Sequence, residues 1–113
     1  MANTVDYFEI GSGDPEGAGK FYGDLFDWPI GGAGEAGYRM VDGQAGGLMD
    51  TSSMGAGGWA IFYVHVDSVD DAVEKAVTLG ATVLLPKTAI DTGAFAHLGD
   101  PQGNRFGVWQ SHP

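Results

Sequence analysis

The feature that most constrains this chain is a repeated order of elements. Val5-Asp6-Tyr7-Phe8-Glu9-Ile10 reads as a strand, and Asp14-Pro15-Glu16 opens a helix behind it, with Asp14 as N-cap and Pro15 at the first helical position. Ala18, Phe21, Tyr22 and Leu25 continue at helical spacing. Past the middle of the chain the order starts again. Trp59 to Val66 is a strong strand, and Ser68-Val69-Asp70-Asp71 starts a helix whose apolar stripe is Val69, Ala72, Val73, Ala76 and Leu79, closed by Gly80. Sliding one half by 72 − 18 = 54 positions lays Ala18 on Ala72, Tyr22 on Ala76 and Leu25 on Leu79.

Short strand runs follow each helix. In the first half they are Trp28-Pro29-Ile30, Tyr38 to Val41 and Ala45 to Met49; in the second, Thr82 to Leu85, Ala94 to Leu98 and Arg105 to Trp109. Asp42-Gly43 and Asp100-Pro101-Gln102-Gly103-Asn104 are turn sequences. Each half reads β-α-β-β-β, an α+β pattern. The 20 glycines cluster in Gly31–Gly37 and Gly55–Gly58, which read as loops. Thr51 to Gly58 reads as the linker, giving module one about 1–53 and module two about 56–113 within one domain, 1–113.

Composition narrows the function classes. Apolar residues make up 43% of the chain and aromatics 12%, enough for a packed core. With no cysteine there is no disulfide scaffold, thiolate metal site or cysteine nucleophile. The apolar run Trp59 to Val64 is far short of the roughly 18 residues that a membrane span needs. Met1 to Asp6 lacks the basic and apolar regions of a signal peptide, which predicts a cytoplasmic protein. Five Lys+Arg against fifteen Asp+Glu leave a net charge of −10. The basic residues Lys20, Arg39, Lys75, Lys87 and Arg105 are scattered, so neither nucleic acid nor an anionic membrane is an expected partner. An acidic field favours solubility and, among ligands, cations.

The stretches Asp14-Pro15-Glu16…Phe21-Tyr22-Gly23-Asp24-Leu25-Phe26-Asp27-Trp28, Val66-Asp67-Ser68-Val69-Asp70-Asp71-Ala72-Val73 and Asp100-Pro101-Gln102-Gly103-Asn104-Arg105-Phe106-Gly107-Val108-Trp109-Gln110 resemble the glyoxalase/bleomycin-resistance/dioxygenase group, the vicinal oxygen chelate superfamily. The resemblance implies two βαβββ modules, each curling its sheet into a glyoxalase-like half-barrel with the helix on the convex side. It also implies a homodimer, because such half-barrels complete their clefts at a subunit interface. Members include isomerases, epimerases, dioxygenases and drug-binding proteins that catalyse nothing, so fold alone does not give the activity.

In catalytic members the resemblance implies a divalent metal held by His, Gln or Glu. Here those positions fall on Tyr7, Ile61, Gly107 and a residue near Gly47 or Leu48. A neutral phenol is a poor ligand, and Ile, Gly and Leu offer no side-chain donor. The expectation is therefore no metal and no other cofactor. A rebuilt Glu9–His65–His97 constellation would need three strands in favourable register.

Period-2 alternation places Tyr7, Glu9, Trp59, Ile61, Tyr63, His65, Phe95, His97, Arg105, Gly107 and Trp109 on the concave faces. Phe8, Ile10, Phe62, Val64, Phe106 and Val108 fall on the opposite faces, beneath the helices. Large rings with a few polar groups suit a flat organic ligand, and Gly107 beside Trp59 and Trp109 would leave room for its ring system. The expected function is metal-free binding: sequestration of a small aromatic, antibiotic-like molecule, cationic or neutral, in a cleft at the dimer interface. The alternative is a lyase, isomerase or dioxygenase with an unconventional metal site, or a metal-free one using Glu9 or a histidine as general base. No nucleophilic triad can be argued from Ser52, Ser53 and Ser68 in loop and cap or from Ser111 in the tail.

Overall fold

A computed structural model describes residues 3–34, 37–54 and 57–112. Glu35 and Ala36 of the first glycine loop, Gly55 and Ala56 of the linker, and Pro113 of the tail lie outside the described residues. The chain divides into two compact units, one of residues Tyr7–Ala60, the other running from Ile61 onward together with the residues up to Asp6.

In the first unit, β1 (Thr4–Ser12) leads into α1 (Pro15–Phe26), then β2 (Arg39–Val41) and β3 (Gly46–Asp50). The Asp14 carboxylate accepts the Gly17 N–H at 3.1 Å and Pro15 sits in the first turn, so α1 starts where sequence predicts. Asp27, in the left-handed region at φ 57°, ends it. β1 and β3 run parallel, with Phe8 opposite Gly46 and Ile10 opposite Leu48, and β2 pairs antiparallel to β3. The turn between β2 and β3 holds Asp42 at φ 54° and Gly43 at φ 72°, as an Asp-Gly turn favours. The expected strand at Trp28-Pro29-Ile30 is reduced to a single bridge from Ile30 to Val41. Proline has no N–H to donate to a ladder, and glycines begin at Gly31. Ile10, Val41 and Leu48 form the core, with Phe8, Ala18, Tyr22, Trp28 and Ile30 packed against it.

The second unit follows the same plan with longer strands: β4 (Trp59–His65, in this unit from Ile61), α2 (Val69–Thr78), β5 (Thr82–Ile90), β6 (Gly93–Gly99) and β7 (Arg105–Ser111). Their order is β4-β7-β6-β5, with β4 and β7 parallel and the other pairs antiparallel. Ser68 Oγ caps α2 by accepting the Asp71 N–H at 3.1 Å. β5 runs past Pro86, beyond the expected end at Leu85. An edge strand tolerates proline, and the ladder shifts register between Leu85 and Thr88. Val66, Val69, Ala96, Leu98 and Val108 make this unit's core, with Val64, Ala72, Val73, Ala76 and Phe106 against it.

The sequence pattern thus places Phe8, Ile10, Val64, Phe106 and Val108 correctly, on the helix-covered sides. Phe62 is a correction. It is 47% exposed and stacks on Phe106 with ring centroids 6.0 Å apart, while Ile61 and Tyr63 beside it are buried. Among the described residues no helix is long and apolar enough to cross a membrane.

Candidate functional site

The four positions at which the resemblance would place metal ligands are built as packing. Tyr7 Oη lies 2.7 Å from Tyr38 Oη. Gly47 admits these two hydroxyls, because a Cβ there would overlap both, and Leu48 is in the core. Ile61 is buried. Gly107 lies opposite Tyr63 in the β4–β7 ladder, and the Tyr63 ring covers it, with Cδ2 2.6 Å from where a Cβ would stand. The donors present do not fit a divalent cation at these positions. Among the described residues no three His, Asp or Glu side chains form a group that could hold one.

The covering of Gly107 corrects the expectation of an open slot there. A residue without a side chain on a parallel neighbour leaves a hole, and the nearest ring fills it. Trp59 does the same over Gly11, where a Cβ would lie 2.7 Å from the indole Cδ2. Tyr63 also packs edge-on against Phe95 and His97, and Trp109 stacks on His65 at 4.1 Å and 11°. The rings expected to line a cleft are largely in contact with their own unit.

What these faces do hold is two buried polar networks. In the first unit Glu9 is 3% exposed and both carboxylate oxygens are engaged: Trp59 Nε1 donates to Oε1 at 3.2 Å and Tyr38 Oη to Oε2 at 3.1 Å. Tyr38 Oη also bonds the Tyr7 hydroxyl, so Tyr7, Tyr38 and Glu9 form one connected chain. Burial raises the Tyr7 phenol pKa; the Tyr38 bond lowers it by less, and the Glu9 charge adds to the rise. In the second unit, buried His97 bonds Tyr63 Oη, and Arg105 Nη1 approaches its Nδ1 at 2.8 Å. A guanidinium only donates, so Nδ1 accepts and Nε2 carries the hydrogen toward Tyr63. His65, the third histidine-or-glutamate candidate, is partnered by Asp6 and Ser111 instead.

Cavities open among the described residues of the first unit. One, about 360 Å³, lies along α1 by Lys20, Trp28, Ile30 and Arg39. A second, about 310 Å³, is lined by Tyr38, Met49, Asp50, Ser53 and Met54. The second adjoins the Glu9 network through Tyr38. Asp50 is held below the ordinary carboxylate range by its bonds from Ser52, whose backbone N–H donates at 2.9 Å. None of these five residues stands out in sequence as a site. Asp50-Thr51-Ser52 is a readable Asx-turn pattern, but the reach of Tyr38 across 29 positions to Glu9 has no local mark.

The glyoxalase-like domain family matches residues 7–109. This chain belongs to that family. CFP32 of Mycobacterium tuberculosis (strain CDC 1551 / Oshkosh), named as a candidate glyoxylase, is 32% identical over 120 residues, 96% of this chain and 46% of that protein. The chain therefore spans about half the length of the curated relatives it matches. Methylmalonyl-CoA epimerase from Mycobacterium tuberculosis superposes with a TM-score of 0.64 at 13% identity, over 100% of this chain and 91% of that one. The Mn(II)-bound glyoxalase from Novosphingobium aromaticivorans gives 0.65 at 17% identity, over 96% of this chain and 39% of that one. At such identities the structural likeness is one of fold. With the family match it places the domain in the vicinal oxygen chelate superfamily, as the sequence motifs imply.

Proposed function

We propose that this glyoxalase-like domain binds and sequesters a flat organic cation without a metal, in the cavity lined by Tyr38, Met49, Asp50, Ser53 and Met54. The observation that carries the reading is the position of Tyr38, whose side chain lines that cavity while its hydroxyl bonds the buried Glu9 carboxylate. The cavity volume of about 310 Å³ is at the small end of ligand sites. An aromatic ring, two thioethers and an ionised carboxylate are the surroundings that a delocalised cation prefers. The chain's charge of −10 draws such ligands in. For the alternative, a lyase, isomerase or dioxygenase with an unconventional metal site or a metal-free one, the donor chemistry of Tyr7, Ile61 and Gly107 counts against a metal at those positions alone. A second copy of the chain would complete the cleft, as the family pattern implies.

Proflavine, a planar cation, and acridone, a neutral ring system of like size, test the reading by fluorescence titration. Proflavine is expected to bind in preference to acridone. Asp50→Asn should weaken proflavine about fivefold, the equivalent of roughly 1 kcal/mol, and leave acridone unchanged. Equal affinity for both probes, or proflavine binding unaltered in Asp50→Asn and Tyr38→Phe, would overturn it.

A further inference from the structure

Three side chains far apart in sequence meet at the strand ends of the second unit. Asp6 comes from the start of β1, His65 from the end of β4 and Ser111 from the end of β7. His65 Nδ1 lies 3.4 Å from Asp6 Oδ2, and its Nε2 lies 3.3 Å from Ser111 Oγ. The ring is held in place by its stack on Trp109, whose Nε1 donates to the other Asp6 oxygen at 2.9 Å. Neighbouring backbone bonds fix the frame: His65 stands opposite Trp109 in the β4–β7 ladder, Ser111 stands opposite Gly93, and the His112 N–H bonds Thr92 O at 3.0 Å.

The chemistry of the three groups follows from what each can donate. A carboxylate only accepts, so the Asp6 charge 3.4 Å from Nδ1 favours the tautomer with hydrogen there, which leaves the Nε2 lone pair for the Ser111 hydroxyl. Base beside hydroxyl, with the base oriented by a third group, is the arrangement that activates a serine, and both distances are of the looser kind seen without substrate. Ser111 is exposed, and the side chains of His65 and Asp6 are 29% and 36% exposed, so a reagent in solvent can reach them.

We propose that Ser111 is a nucleophile, with His65 as its general base and Asp6 as a positioning residue, acting on small aryl esters. Ser111 Oγ bonds to the ester carbonyl carbon while its proton passes to His65 Nε2. The carbon–oxygen bond to the aryl group then breaks, and the departing phenolate takes that proton, leaving an acyl-serine. Water, deprotonated by His65, attacks the acyl carbon; the carboxylic acid leaves and Ser111 regains its proton. Aryl esters are the fitting class because a phenol leaves with little help from the acid.

The test is covalent labelling of the full chain with diisopropyl fluorophosphate, read by peptide mass mapping, beside release of p-nitrophenol from p-nitrophenyl acetate. We expect one adduct, on Ser111, and a burst of p-nitrophenol equal to the protein present, both lost in Ser111→Ala. His65→Gln, shown folded by circular dichroism, should slow labelling about 100-fold, the usual scale of a general base. Asp6→Asn should slow it less, and Asp6→Glu should recover part of that loss, which a purely structural role would not produce. Absence of an Ser111 adduct, labelling no faster than at Ser52 or Ser68, or an unchanged rate in folded His65→Gln would overturn the proposal.

Discussion

Single residues decide what the concave faces can hold. Gly107 is the clearest case, since its missing side chain is replaced by the Tyr63 ring. Gly107→Ala should cost about 1–3 kcal/mol through overpacking, read as a lower urea midpoint. In a Tyr63→Ala background the same change should be neutral or stabilising, because only the lower chain entropy of the unfolded state then remains. An unchanged midpoint in the otherwise native chain would show that the ring does not press on Gly107. Tyr7 gives a prediction in pH. Burial, the largest influence, leaves its phenol above the ordinary value of 10.0 in the folded chain. A raised folded pKa means that its contribution to stability is complete below the unfolded value and is lost as pH rises through the folded one. Wild type should therefore lose stability above about pH 10 more steeply than Tyr7→Phe in parallel denaturant titrations. Coincident curves would contradict the buried phenol.

The two helices differ in what holds them. α1 carries Gly17, Gly19 and Gly23, each unfavourable relative to alanine by about 1 kcal/mol, so it depends on its cap and on packing. Each of these glycines has a close neighbour: a Cβ at Gly17 would stand 2.9 Å from Cγ of the capping Asp14, and Cβ atoms at Gly19 and Gly23 would stand 3.3 Å and 3.2 Å from the Ile30 side chain. Asp14→Ala should then destabilise by about 0.5–2 kcal/mol, measured by thermal or urea unfolding. Loss of less than this would mean that the Pro15 start alone fixes the helix. α2 has no glycine, a Ser68 cap and a second tie from Gln110 Oε1 to the Val69 N–H at 2.7 Å. Both starts were legible because caps act within four residues. The single bridge at Ile30 and the extension of β5 past Pro86 were not, because pairing depends on which neighbour supplies a ladder and where the edge lies.

On the scale of the whole molecule, self-association is the expectation still to be measured. α1 exposes Phe21, Leu25 and Phe26, an apolar group that a second copy could cover. Sedimentation at micromolar concentration should give about twice the chain mass of 11.8 kDa, and a mass of one chain throughout would rule the dimer out. The sequence by itself determined the two-part plan, both helix starts and most of the helix-covered faces, because each depends on periodicity and capping within one segment. It also determined that Ile61 and Gly107 have no side-chain donor and that Tyr7 offers only a phenol, since that is a matter of residue type. Only the tertiary structure decided what the polar groups do. Alternation put Glu9, His65 and His97 on one kind of face, yet Glu9 belongs with Tyr38 and Trp59, His97 with Tyr63 and Arg105, and His65 with Asp6 and Ser111. A hydrogen bond is directional and reaches only about 3 Å, so its partners depend on the register and stagger of strands distant in sequence, which no local pattern encodes.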